Sequence, residues 1–295
     1  MSTDIKKVVL VCDTMNEIDD QFAIAYAIGS PSVEVLGVIS SQNTLVHGSR
    51  SVDIYKEEAD KILSLGGKSQ IPSLKGARGP MESKEDVQES EGLDFMISLC
   101  DSGVDFSILA TGPATDVAML QLVQPEKIKK LPIIWAGSFP DKETWQRYKY
   151  GELNARADIQ AWRVMYESVE NLTVLPGWPG VVKVDVDSDQ FVSELRSKSH
   201  ELTDYLALIL EQWCVGKKQL DMDSRRKNRK VLWDIVNVSY YSVPGALKME
   251  ERPLPYIDAT GAMHWDQLGK SRAICIDVDN VAVMNDFWSS VDNLT

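Results

Sequence analysis

Histidine is scarce in this chain of 295 residues, at three in all: His47, His200 and His264. None is spaced to share a helical face with another, which disfavours a zinc centre. The four cysteines, Cys12, Cys100, Cys214 and Cys275, lie far apart and form no CxxC pair. They read as reduced, mostly buried thiols of a cytoplasmic protein. GxGxxG and GxxxxGK[ST] are missing, and with them the usual dinucleotide and phosphate-loop fingerprints. GxSxG is missing too, which disfavours the serine elbow of an α/β-hydrolase. No apolar run approaches the ~20 residues that cross a bilayer. The opening "MSTDIKKVVLVCD" passes straight into a strand pattern, so no signal peptide is expected. Positive charge is also short, with 31 Lys and Arg against 44 Asp and Glu and a net charge of −13. A polyanion such as nucleic acid is a poor partner for that balance, because its binding rests on neutralised phosphates. The one basic cluster, "RRKNRK" from Arg225 to Lys230, reads as a solvated loop or helix face, with a clamp for an anionic ligand as its alternative.

Apolar material is not short. Hydrophobic residues make up 44% of the chain, enough for a sizeable core. Short β-branched runs, "KVVLVC", "VEVLGVIS", "DFSILA", "LPIIWAG" and "NLTVLP", are apolar on both faces, as strands of a helix-covered parallel sheet are. Helical patterns such as "DDQFAIAYAIG", "VDIYKEEADKILSLG" and "TDVAMLQLVQ" separate them. The alternation predicts an α/β fold with an open, mainly parallel sheet flanked by helices. A helical region follows around 191–233, "SRAICIDVD" adds a late strand, and no linker or repeat divides residues 1–295, so one domain is expected. Polar clusters follow the strands in turn: "DTMNEIDD", "SQN", "TGP" and "AGS". Ligands of open α/β sheets bind at the carboxyl ends of the strands, so these loops should converge on one crevice.

The first cluster packs Asp13, Glu17, Asp19 and Asp20 into one short stretch with no Lys or Arg among them. Like charges this close repel, more strongly as water is excluded. A purely structural origin would make Asn16 a helix N-cap, with Asp19 completing a capping box and Asp20 favoured by the helix dipole. That leaves Asp13 and Glu17 without a reason. Hard carboxylate oxygens suit Ca²⁺ or Mg²⁺, and a divalent cation turns the repulsion between Asp13 and Asp20 into attraction.

"DTMNEIDDQFAIAYAI" after a first strand resembles the aspartate fingerprint, D-x-D-P-G-x-D-D, of the inosine-uridine-preferring nucleoside hydrolases. "ILATGPATDVAML", "PIIWAG", "GELNARAD" and "LWDIVNVSYYSVP" are similar, in order and spacing, to that family's later segments. The resemblance implies a calcium-dependent N-ribohydrolase acting on a nucleoside or related riboside in purine or pyrimidine salvage, as a homo-oligomer, dimer or tetramer. By the same resemblance Asp13, Asp20, Asp234 and the Thr111 carbonyl hold the Ca²⁺. Asp13 is the catalytic base, and Asp19, Asn43, Glu152 and Asn154 bind the sugar, with Gln42 competing for the place of Asn43. The bland counterparts are an N-cap role for Asp234, a helix start at Thr111-Gly112-Pro113, and a solvated loop around Glu152 and Asn154. Trp135, Trp145, Trp178 and Trp233 are candidates for a wall against the base, with core packing as their alternative.

The chain departs from the family pattern at three points. The first loop carries two extra residues, with Met15 where the second Asp would fall on an ungapped match. Trp233 stands in place of a histidine. "EDVQESEGLDF" offers no counterpart to the His-Gly pair near the base. Two other functions compete: an aspartyl phosphatase, whose D-x-D motif Met15 interrupts, and a non-catalytic protein that binds ribose or a nucleoside.

Overall fold

The computed structural model describes residues 5–219 and 228–294. Among them run ten strands: β1 (Lys6–Cys12), β2 (Val33–Ser40), β3 (Ser73–Lys75), β4 (Ser107–Ala110), β5 (Ile133–Ala136), β6 (Leu172–Leu175), β7 (Asp185–Asp187), β8 (Arg229–Val231), β9 (Leu247–Ile257) and β10 (Met263–Val278). Eight form one sheet in the order β3-β2-β1-β4-β5-β6-β10-β9, and β7 pairs with β8 in a separate ribbon. Every pair of the main sheet is parallel except β9 with β10. Helices of eight or more residues are α1 (Asp19–Gly29), α2 (Ser51–Leu65), α3 (Glu91–Ser102), α4 (Thr115–Val123), α5 (Ile159–Ser168), α6 (Ser188–Ser197), α7 (Glu201–Gln219), α8 (Ile235–Ser242) and α9 (Asn280–Asp292). The expected open, mainly parallel sheet flanked by helices is therefore present.

Alternate side chains of β1 feed two separate cores. Val8, Leu10 and Cys12 join α1, α2, α8 and α9 on one face of the sheet, while Val9 and Val11 join α4 and α5 on the other. Burial on both faces is why β1 reads as a continuous apolar run. Helix α1 is enclosed along its whole length, with all eleven residues buried. Its far end admits no side chain, since a Cβ on Gly29 would lie 2.2 Å from the Ser290 carbonyl oxygen of α9.

Two strands of the main sheet escaped the sequence patterns, as did both strands of the β7–β8 ribbon. β3 is only three residues long, and β9, "LKMEERPLPYI", carries Pro253 and Pro255, which are tolerated because it is an edge strand. The stretch 191–233 holds most of α6 and all of α7, but ends in β8 rather than in helix. Arg225, Arg226 and Lys227 of the basic cluster lie outside the described residues.

Candidate active site

The chain leaves β1 toward β2 and β3 at one edge, then returns to lay β4, β5 and β6 on the opposite side of β1. The carboxyl ends of β1 and β4 thus flank the switch point of the sheet, where open α/β folds hold ligands. A cavity of about 240 Å³ lies there, lined in part by Asp13, Asp20, Thr111 and Asp234. Gly112 permits the close approach, since a Cβ there would come within 3.0 Å of the Asp13 backbone nitrogen.

Each carboxylate of the cluster has a distinct environment. Asp13 Oδ2 accepts from Asn16 Nδ2 at 2.9 Å and from Asn43 Nδ2 at 2.7 Å. Thr111 Oγ1 donates to Asp20 Oδ1 at 2.6 Å. Asp234 stands at the start of α8, which Asn237 ties to the ends of β4 and β5 by donating to the Ala110 and Ile134 carbonyls at 3.1 and 3.0 Å. Burial pushes the Asp13 carboxyl up to about 6, against the pull of Asn43. Burial, reinforced by the neighbouring carboxylates, holds Asp20 and Asp234 well above the ordinary carboxylate range.

The structural alternatives fare unevenly, since Asp19 and Asp20 do stand in the first turn of α1, where the helix dipole favours them. Ile18, not Asn16, caps α1, and no side chain accepts at that cap. Asn16 is spent on Asp13. Asp234 makes no side-chain cap bond to α8. Helix α4 begins at Thr115, two residues beyond Pro113, so Thr111-Gly112-Pro113 does not start a helix.

Lys230 was read as part of a solvated basic cluster; it is instead buried, with 3% of its side chain exposed. Its Nζ donates to Glu17 Oε2 at 2.6 Å, Asp19 Oδ1 at 3.1 Å and the Val231 carbonyl at 2.7 Å, which uses all three protons. Burial works against its charge, yet Asp19 and Glu17 together raise its pKa above the ordinary lysine value. Burial also raises Asp19, with Lys230 pulling the other way. The unexplained Glu17 of the first loop thereby acquires a partner. β8 pairing with β7 carries Lys230 to this point, and nothing in the local pattern of "RRKNRK" reports a pairing across 44 residues.

Glu152 and Asn154 form the facing wall. They are not in an extended segment, as an alternating pattern would require. Asn154 opens a short helix, Asn154–Ala157, and Glu152 Oε2 accepts from the Ala155 amide at 2.8 Å. Asn154 Nδ2 donates to the Thr111 carbonyl at 2.6 Å and to the Ala136 carbonyl at 2.9 Å. Burial pushes the Glu152 carboxyl up to about 7. Asn43 sits behind Asp13 rather than among the lining residues, and Gln42 turns away to Thr115 Oγ1 at 3.0 Å.

Of the four tryptophans, Trp178 and Trp233 line the cavity. Trp135 is fully buried, donating from Nε1 to the Gly112 carbonyl, and Trp145 is partly buried against the core on that face of the sheet. The indoles of Trp178 and Trp233 stand 5.3 Å apart at 57°, and Tyr148 stacks on Trp178 at 4.5 Å and 3°. The loop after β3 is bound elsewhere: the Ala77 amide donates to Asp116 and the Met81 amide to Asp158. No described residue of 76–90 lines the cavity.

The donor set fits a hard cation. Asp13, Asp20 and Asp234 are nearly inaccessible to water; burial raises their proton affinity most, and for Asp20 and Asp234 repulsion from the neighbouring carboxylates adds to it. Two protons or one dication relieve that repulsion, and oxygen-only ligands favour Ca²⁺ or Mg²⁺. Among the described residues, no three Asp, Glu, His or Cys side chains stand together in an arrangement that could by itself hold a metal ion.

The family model described as inosine-uridine preferring nucleoside hydrolase matches residues 8–285. The chain is 25% identical over 185 residues to a pyrimidine-specific ribonucleoside hydrolase, RihA, of Escherichia coli O81, covering 55% of this chain and 57% of that protein. It is 26% identical over 157 residues to a probable uridine nucleosidase 1 of Oryza sativa subsp. japonica, covering 44% and 47%. The chain thus spans about half the length of these relatives. The fold superposes on a purine-preferring ribonucleoside hydrolase from Gardnerella vaginalis with a TM-score of 0.77 at 19% identity, covering 98% of this chain and 99% of that one.

Proposed function

The chain belongs to the inosine-uridine preferring nucleoside hydrolase family, and from that premise we propose that it is a calcium-dependent N-ribohydrolase, cleaving the N-glycosidic bond of a ribonucleoside or related riboside. The observation that carries this is the gathering of buried Asp13, Asp20 and Asp234 opposite Glu152 and Asn154 across one cavity at the switch point. Calcium would be held by Asp13, Asp20, Asp234 and the Thr111 carbonyl, whose second lone pair is left by its bond to Asn154. A bound dication supplies the charge that makes a neighbouring water more acidic.

The rest of the chemistry falls to the chain. Asp13, its Oδ2 fixed by two amides, takes the proton of the attacking water. Asp19, held by Lys230, accepts a sugar hydroxyl, and Glu152 and Asn154 grip the opposite edge of the ring. Positive charge grows on the anomeric carbon as the bond to the base breaks, and the surrounding carboxylates stabilise it in a cavity that excludes water. The same proposal takes residues 1–295 as one domain, a homo-oligomeric enzyme of the cytoplasm serving nucleoside salvage. The unbroken eight-stranded sheet supports the single domain.

Ribose release from p-nitrophenyl riboside tests it. Turnover should require calcium, stop on chelation and return on readdition, and Asp13→Asn should lower kcat by ~10²–10⁴-fold. Among the described residues no His, Tyr, Lys or Arg lines the cavity, which leaves a departing base only a buried carboxyl such as Glu152 as a proton donor. That observation favours the second reading, a riboside-binding protein without turnover, which tight binding with no ribose release would establish.

A further inference from the structure

The cavity is asymmetric in charge. Six carboxyl groups line it, those of Asp13, Asp19, Asp20 and Asp234 with Glu17 and Glu152, while no lining side chain among the described residues is basic. Lys230 offers the cavity no free proton, since its three are taken by Glu17, Asp19 and the Val231 carbonyl. One ammonium and one dication leave the carboxylates in excess. The rest of the wall is largely apolar, and its aromatic part is Trp178 and Trp233, which meet at an angle, with Tyr148 backing Trp178. Indole faces beside carboxylates attract a flat cation through the ring quadrupole and through the field of the acids.

Resting on the N-ribohydrolase reading above, we infer that the preferred substrates are ribosides whose leaving group is a cationic aromatic ring, of the N-ribosylpyridinium class. Such a ring needs no acid. When the bond between the anomeric carbon and the ring nitrogen breaks, its electron pair goes to that nitrogen and cancels the ring's positive charge. Water supplies the oxygen that bonds to the anomeric carbon, and Asp13 takes the proton and returns it to solvent. The products are ribose, a neutral pyridine and one proton, which balances the cationic riboside and water consumed. The acidic lining that repels phosphorylated or carboxylated ribosides concentrates this cation, and its departure draws on no proton from Glu152 or any other acid of the cavity.

The experiment compares kcat/KM at saturating calcium for nicotinamide riboside, its 5′-phosphate, its ring-carboxylate analogue, p-nitrophenyl riboside and inosine. Nicotinamide riboside should exceed inosine by at least ~10²-fold, the low end of what a general acid is worth. It should also have a lower KM than p-nitrophenyl riboside, which has a good leaving group but no charge. The 5′-phosphate and the ring carboxylate should both be poorer. Trp178→Leu should raise KM for nicotinamide riboside by roughly tenfold, in the range of a cation–π contact, with a smaller effect on p-nitrophenyl riboside and with Trp178→Phe in between. Inosine cleaved as well as nicotinamide riboside, or the 5′-phosphate preferred, overturns the inference and leaves the hydrolase reading standing. If none of the five releases ribose, both fall.

Discussion

The ammonium of Lys230 lies 3.1 Å from the carboxylate of Asp19, inside the core and across 211 residues of chain. A charge so enclosed is tolerated only with its partners in place. Lys230→Met strands Asp19 and Glu17 and should destabilise the protein by about 3–5 kcal/mol. Urea unfolding measures the loss, and a change below about 1 kcal/mol would show that water reaches the pair. Lys230→Arg, which keeps the charge, should recover part of the stability.

If the folded cluster holds calcium as proposed and the unfolded chain does not, calcium should stabilise the fold. At a hundredfold excess over Kd the gain is about 2.7 kcal/mol. Asp234→Ala removes one of the mutually repelling carboxylates. Without calcium it should be no less stable than the wild type, and with calcium it should lose most of the gain. Thermal unfolding at several calcium concentrations decides this, and an undiminished gain in the variant would remove Asp234 from the ligand set.

Glu152 sets a dependence on pH. Burial raises its folded pKa to about 7 from the ordinary 4.5, so between these values the folded state holds a proton that the unfolded chain has released. Stability therefore falls as pH rises from about 4.5 to 7, by roughly 3 kcal/mol at 1.36 kcal/mol per unit. Glu152→Gln, which resembles the protonated acid, should flatten that slope. Equal slopes for the two proteins in calcium-free buffer would count against a buried, proton-holding Glu152.

Asn154→Ala should weaken riboside binding, and the structure adds a second cost. Its amide satisfies the Thr111 and Ala136 carbonyls, and leaving such acceptors unpaired costs about 1–3 kcal/mol. Both a raised KM and a lowered unfolding midpoint are expected. A variant as stable as the parent would mean that water replaces the amide.

The parts of the site legible in the sequence are those whose signal is local. Asp13 and Glu17 stood out because like charges at the end of an apolar run had no ordinary structural reason there, and Asp19 and Asp20 stand beside them in the same stretch. Asp234, Thr111, Glu152 and Asn154 were reached through the resemblance, and the structure brings all of them to one cavity. Lys230 and Asn237 were missed. Both act through long-range contacts, one delivered by the β7–β8 ribbon and the other by the packing of α8 on the strand ends, and neither leaves a periodic trace. The tryptophans show the same limit from the other side: all four looked alike, and only the fold separates Trp178 and Trp233 from those spent on the core. β9 was invisible because its prolines argue against a strand unless it is known to be an edge.

Helix α1 joins two distant places rigidly. Its first turn presents Asp19 and Asp20 to the cavity, and its last residue is wedged against α9 at Gly29, about 15 Å away at 1.5 Å per residue. Enclosed throughout, the helix has no slack with which to absorb a displacement. The position of the acids is therefore set from the opposite end of the protein, as the tip of a rod is set by its socket. Loosening that socket, by heat or by any residue larger than glycine, would put the carboxylates out of register while the cavity wall around Trp178 stayed intact, so the capacity to hold a cation would fail before the capacity to hold a ring.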